Sequence, residues 1–236
     1  MHEKKQFIRQ MYATLAAAYD RGNHLISLGW DRRWRKRAIA GLPRMGWIID
    51  LGGGTGDLTQ VYHESGPATS MVALVDFSRE MVNCARKKFA GKTWRDNVFI
   101  VLADIEHLPF RSGAFAGAMS AFVLRNLPSI APVAQETVRV LDPRGRAAFL
   151  DATRPPKGWW RYLYDAYFQW LMPRIAGLVQ RDQRTAYQYL ANSVVTFPPA
   201  KEIARTFREA GFAQCSVISL WGGVITIFRP QMAERQ

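Results

Sequence analysis

Short runs of consecutive apolar residues recur along the chain, each closed by an acid, a glycine or a turn. Residues 47–51, 71–75, 98–102, 116–121 and 146–151 are such runs and read as five strands. They show no polar alternation, so both faces of each strand should be buried, as in a parallel sheet. Between them the period lengthens to that of helices. Residues 57–65 suit a helix stopped by Ser65-Gly66-Pro67, Ser78 is placed to N-cap a helix reaching about Phe89, and residues 129–140 suit a third helix before the turn Asp142-Pro143-Arg144-Gly145. Strands alternating with helices predict a parallel sheet covered on both faces.

The two ends break this rhythm. Residues 7–40 read as helical, interrupted at Arg21-Gly22-Asn23 and closed by Gly41-Leu42-Pro43. Residues 155–197 are rich in Trp and Tyr, look helical despite Pro173, and read as an insertion over the active site. Residues 201–210 form a further helix, and two strands joined at Gly222-Gly223 follow from Phe212. One domain is expected, with an N-terminal helical lid (1–43), a core (44–154), a helical aromatic insertion (155–200) and a C-terminal helix with strands (201–230).

Charge changes the picture. The chain carries a formal +13, with 32 Lys and Arg against 19 acids. Such a field draws nucleic acid, anionic lipid or acidic ligands, and equally serves solubility alone. The densest run is Arg32-Arg33-Trp34-Arg35-Lys36-Arg37, with Trp30 and Trp34 on one helical face. That helix suits a membrane surface, or a solvated position with its tryptophans packed inward. No run of apolar residues is long enough to span a bilayer, and the charged N-terminus lacks an apolar signal core. Cys84, in a predicted helix, and Cys215, in a predicted late strand, have no metal-ligand spacing. A reduced cytoplasmic protein without a metal is therefore expected.

Candidate chemistry gathers after the first strand, at Asp50-Leu51-Gly52-Gly53-Gly54-Thr55-Gly56-Asp57. Gly52, Gly54 and Gly56 let the backbone approach a ligand at the carboxyl edge of a doubly wound sheet. Asp76 ends the next strand 20 residues beyond Gly56 and is placed to accept hydrogen bonds from both hydroxyls of a ribose. Nicotinamide dehydrogenases share that logic. Three features favour S-adenosyl-L-methionine instead: Asp50 just before the glycines, the polar strand end Asp104-Ile105, and the two C-terminal strands. The expected fold is a Rossmann-like α/β class I methyltransferase with a seven-stranded, mostly parallel sheet.

The sequence resembles the ubiquinone/menaquinone biosynthesis C-methyltransferase family from about residue 11 to 228. The likeness is carried by Ala18-Tyr19-Asp20, Trp34-Arg35-Lys36-Arg37, residues 50–59, Leu108-Pro109-Phe110, Leu124-Arg125-Asn126-Leu127, Pro173-Arg174-Ile175 and Tyr187-x-Tyr189-Leu190. The Leu-Arg-Asn stretch and the last pair are the most particular. The resemblance implies that Thr55, Asp76, Asp104 and Ile105 contact the donor. A serine usual in the family stands here as Ala121, so one polar contact to the donor is either lost or moved by a residue to Ser120, which is then a candidate donor contact. Leu150-Asp151-Ala152 replaces a usual Leu-Glu-Phe, and Arg154-Pro155 a usual Lys-Pro.

The family methylates a ring carbon of a polyprenylated quinol, which implies a lipid-tailed partner, peripheral contact with a membrane and no nucleic acid, and is compatible with a homo-oligomer. Arg125 is the first candidate on the acceptor side, to stabilise a phenolate or to anchor its loop. Asp151 is a candidate to take a phenol proton or to cap the next segment. Tyr19 and Asp20 are candidates to close over the donor, and His24 for a base or a structural role. Three alternatives stay open: a methyltransferase of another small aromatic or isoprenoid acceptor, an RNA methyltransferase suggested by the charge, and a non-catalytic donor-binding protein.

Overall fold

The computed structural model describes residues 11, 19–66, 69–156, 158–166, 189 and 193–233. In chain order the elements are α1 (Tyr19–Ile26), α2 (Asp31–Ile39), β1 (Trp47–Leu51), α3 (Asp57–Glu64), β2 (Met71–Asp76), α4 (Arg79–Phe89), β3 (Val98–Leu102), β4 (Phe115–Ala121), α5 (Ala131–Val140), β5 (Leu141–Ala152), α6 (Trp159–Ala166), α7 (Ala200–Glu209), β6 (Gln214–Leu220) and β7 (Ile225–Gln231). The strands form one sheet in the order β3-β2-β1-β4-β5-β7-β6. β1 to β5 pair in parallel, and β7 runs antiparallel to both β5 and β6.

Successive strand residues feed opposite faces, which is why the strands read as unbroken apolar runs. Ile48, Val72 and Leu74 pack under α3 and α4 with Leu58, Tyr62 and Phe89. Ile49, Leu51, Ala73 and Val75 face the other way, with Val133 of α5 and Phe207 of α7. Ser78 caps α4 as expected, its hydroxyl accepting the Met81 N–H at 3.3 Å. Among the described residues, no helix is long and apolar enough to cross a membrane.

Two local expectations are corrected. α1 runs unbroken through Arg21-Gly22-Asn23; the chain instead turns at Ser27–Trp30, where Leu28 and Gly29 take positive φ. Gly22 is buried within α1 and does not break it. The expected turn at 142–145 keeps its local bond, Arg144 N–H to Asp142 Oδ1 at 2.8 Å, yet lies within β5, whose register against β4 shifts between Phe115 and Gly117. The aromatic insertion lies mostly outside the described residues; what is described includes α6 and Tyr189.

β1 neighbours β2 on one side and β4 on the other, so consecutive crossovers leave it in opposite directions. The crevice beyond the carboxyl ends of β1 and β4 is the place where doubly wound sheets bind ligands.

Candidate active site

The glycine loop occupies that crevice. Gly52, Gly54 and Gly56 all have positive φ. A Cβ on Gly52 would stand 2.6 Å from Val123 Cγ2, and one on Gly56 only 2.2 Å from Phe89 Cζ. Two pressures therefore select glycine at both positions, backbone conformation and the absence of room. Gly54 points its N–H at the Asp76 carboxylate, 2.9 Å away.

Asp76 closes the loop from β2. Its other oxygen accepts the Ser78 N–H at 2.8 Å, and burial pushes the carboxyl up to about 6 against these bonds. Each carboxylate oxygen keeps a further lone pair for a ligand hydroxyl. Asp50 lies deeper, behind the loop. Thr59 donates to its Oδ2 at 2.6 Å, whereas its buried Oδ1 meets no partner among the described residues. Burial raises Asp50 to about 7. At the end of β3, Asp104 accepts the Glu106 N–H at 2.9 Å.

These groups border a cleft of about 910 Å³, counted to its open mouth, which falls in the range of sites for ligands of nucleoside size. Gly52, Gly54, Thr55, Asp76, Asp104 and Ile105 line it, so six of the nine predicted donor contacts share one cavity. The other three support it from behind. Asp50 is fully buried, Gly56 is the left-handed N-cap of α3, and Ser120 donates from β4 to the Leu51 carbonyl at 2.7 Å. Ser120 thus pins β4 to the end of β1. A glycine cradle, a ribose acceptor at Asp76 and an unpaired buried carboxylate oxygen at Asp50 fit a cationic nucleoside.

Sequence reasoning missed one wall of the cleft. Arg35 was counted with the exposed cations, but its side chain is 5% exposed and lines the cavity. A signal was present: Asp31, Trp34, Arg35 and Ala38 follow the buried stripe of α2 at i, i+3, i+4 and i+7. Arg35 pairs with Asp57 at 3.5 Å and Asp31 at 3.7 Å, and Lys88 donates to Asp57 at 2.5 Å. Burial raises Asp57, but these two cations outweigh it and hold the carboxyl below its ordinary range. Asp20 joins from α1, taking the Thr55 hydroxyl and Lys88 Nζ at 2.5 Å each. The charged chain thus ties the N-terminal helix to the glycine loop. Tyr19 begins α1, but its side chain lies outside the described residues. His24 pairs with Asp31 at 3.2 Å and is absent from the cavity lining, so a structural role fits it.

On the β4 side, Phe122, Val123, Asn126, Leu127 and Pro128 line the cleft. Phe122 has φ +63°, a left-handed conformation that costs a bulky residue energy. Its N–H is fixed to the Leu150 carbonyl at 2.7 Å, and its ring lies under two guanidinium groups, Arg35 at 5.1 Å and Arg125 at 5.4 Å. Arg125 itself stands behind this wall, 7% exposed. Asp151 is fully buried and takes the Arg125 side chain at 2.5 Å, the Arg125 N–H at 3.2 Å and the Ala152 N–H at 2.8 Å. Burial raises the Asp151 carboxyl even against Arg125. Asp151 thus carries three donors and is placed to hold Arg125; neither residue lines the cavity.

Comparison with known proteins agrees with this geometry. The chain is 34% identical to the ubiquinone/menaquinone biosynthesis C-methyltransferase UbiE of Geotalea uraniireducens, over 96% of each protein. It is 32% identical to the demethylmenaquinone methyltransferase of Desulfitobacterium hafniense, over 95% of this chain and 89% of that one. Its fold matches a SAM-dependent methyltransferase of Aquifex aeolicus with TM-score 0.57 at 15% identity, covering 84% of this chain and 89% of that one. It also matches Haemonchus contortus phosphoethanolamine N-methyltransferase 2, solved in complex with S-adenosyl-L-methionine. There the TM-score is 0.62 at 12% identity, covering 90% of this chain and 56% of that one. The protein is an S-adenosyl-L-methionine-dependent methyltransferase, and it belongs to the ubiE/COQ5 methyltransferase family, whose profile matches residues 1–231.

Proposed function

We propose that the protein methylates a ring carbon of a polyprenylated quinol in menaquinone or ubiquinone biosynthesis, with demethylmenaquinol as the acceptor. The observation that carries this reading is the combination of a nucleoside cradle and an apolar wall in one cleft. Relatives named for this chemistry match nearly the whole chain.

S-adenosyl-L-methionine, when bound, supplies a methyl group on a sulfonium that is already electrophilic. Asp76 and Asp104 would hold its ribose and adenine, with Asp50 behind the glycine loop on the side of its amino end. What remains for the protein is orientation and the electronics of the acceptor. A quinol ring carbon becomes nucleophilic when the neighbouring hydroxyl gives up its proton to water at the open mouth of the cleft; once the methyl has bonded to carbon and left the sulfonium as a neutral thioether, the ring C–H proton leaves by the same route. Arg125, paired with Asp151 and outside the cavity lining, acts from behind by holding the Phe122 wall on which the ring would rest. Phe122, Val123, Leu127 and Pro128 give the ring an apolar surface and exclude water from it. Arg35 and Arg125 keep the Phe122 ring from turning away.

Mass spectrometry of quinones from cells lacking the protein tests the proposal. Accumulation of a species one methyl lighter, restored to full mass by the intact gene, is the expected result. An unchanged quinone pool would overturn it. In vitro, labelled donor should enter demethylmenaquinol, and transfer to RNA in its place would favour the alternative suggested by the net charge.

A further inference from the structure

Three non-glycine residues among those described have left-handed backbones: Leu28 (φ +51°), Phe122 (φ +63°) and Trp221 (φ +52°). Phe122 forms the cleft wall. The other two are apolar and exposed, Leu28 at 66% and Trp221 at 42%. A left-handed backbone that leaves a large apolar side chain partly in water is uncommon, and such strain concentrates where surfaces are used.

Both lie next to Trp30. Leu28 is in the turn that leads into it, and Trp221 meets the Trp30 ring edge-on at 5.0 Å. Trp221 also meets the buried Trp34 at 5.5 Å, so the cluster is anchored from below. Arg33 lies over Trp30 at 4.4 Å, and Lys36 and Arg37 are exposed on the same helix. The chain's net charge is +13. Indole rings and an aliphatic side chain rimmed by cations match the boundary between headgroups and acyl chains of an anionic bilayer.

The inner side of this layer reaches the cleft. Trp34 packs in one cluster with Leu150 and Ile225, and Phe122, Leu220 and Val224 pack against it, while Arg35 of the same helix lines the cavity.

We propose that the face formed by Leu28, Trp30, Arg33, Lys36 and Trp221 docks the protein on an anionic lipid bilayer. For its purpose this rests on the quinol reading: a polyprenyl tail stays in lipid while the docked face holds the protein against the bilayer that carries it. For its location it rests on the strain, exposure and charge of the face itself.

Flotation with phosphatidylglycerol-containing vesicles and with pure phosphatidylcholine vesicles tests the docking. The intact protein should float with the anionic vesicles, and less so as salt rises. Arg33→Gln/Lys36→Gln should lower the partition coefficient by about 5-fold per charge, roughly 25-fold together. Leu28→Gly should lower it by about 5-fold while leaving Tm unchanged or raised, because glycine relieves the left-handed strain. Equal flotation of the variants and the parent overturns the proposal, and so does retention on RNA without any on vesicles. A water-soluble, tail-less demethylquinol separates the two readings. Methylation of it by a protein that ignores vesicles refutes docking alone; vesicle binding without that methylation refutes the quinol reading alone.

Discussion

Replacing Asp151 by asparagine keeps the shape of the side chain and removes its charge. Three donors converge on this carboxylate: the Arg125 guanidinium at 2.5 Å, the Arg125 N–H at 3.2 Å and the Ala152 N–H at 2.8 Å. Asparagine keeps one acceptor oxygen, so its amide NH2 must face a donor whichever way it is turned. The change loses a charged hydrogen bond, worth about 1.5–3 kcal/mol, and leaves a buried donor unmatched, costing about 1–3 kcal/mol more. That total agrees with the roughly 3–5 kcal/mol for breaking a buried ion pair on one side. Applied to a domain with about 5–15 kcal/mol in all, it should lower Tm by about 10 °C.

Arg125→Met should behave differently. The stranded Asp151 carboxyl, already raised by burial, can take up a proton and become neutral. Its folded pKa then lies above its unfolded one, so the variant should lose stability as pH rises through the folded value and regain it in acid. Urea unfolding of both single variants and of Asp151→Asn/Arg125→Met, across a pH series, completes the cycle. The double variant should recover much of the Asp151→Asn loss. An Asp151→Asn protein within about 1 kcal/mol of the parent would refute the idea that this pair anchors the Leu124–Asn126 loop.

Gly56→Ala and Gly91→Ala form a matched pair by urea unfolding. Both glycines have positive φ, but an added Cβ meets Phe89 at 2.2 Å in the first and open space in the second. Gly91→Ala should cost about 1–2 kcal/mol for conformation alone, and Gly56→Ala about 1–3 kcal/mol more for overpacking; equal losses would mean the loop yields freely. Ser120→Ala should cost about 1 kcal/mol and leave donor affinity within about twofold, since its hydroxyl holds the Leu51 carbonyl. A tenfold loss of donor affinity by calorimetry would return Ser120 to the donor site. Asp76 and Asp50, raised to about 6 and about 7, hold protons in the folded state that the unfolded chain releases near pH 4. Their contribution to stability therefore falls as pH rises to about 7 and is flat above. Binding of a cationic donor should expel these protons, so calorimetric heats near pH 6 should differ between phosphate and Tris; buffer-independent heats would refute that coupling.

Much of the fold was legible because strand residues here answer to one requirement, burial on both faces. Ile48 and Ile49 serve opposite cores, and each had to be apolar. Ser78 and the glycine loop were legible because capping and positive φ restrict the residue type. Gly22 misled because a buried glycine inside a helix looks the same in sequence as one in a turn. Phe122 and Leu28 were hidden for the converse reason: nothing in a phenylalanine or leucine announces a left-handed backbone. Asp151 was legible as a polar strand end, but its direction was not, since only the paired strands and the loop after β4 decide whether it faces the cleft or Arg125.

Charge separates composition from structure most sharply. Arg35, Lys88 and Arg125 count towards the basic total, yet each sits against aspartates at or behind the cleft: Asp31 and Asp57, Asp20 and Asp57, and Asp151. These three cations face four acids, so the interior cluster is slightly negative. The whole positive excess, and a little more, must therefore lie outside it. A field of that sign on the surface steers anionic partners towards the protein and weakens as salt screens it. The negative cluster inside suits a cationic donor. On the proposed docking, one chain would present opposite signs to lipid at the surface and to the nucleoside within, and added salt should weaken the first association far more than the second.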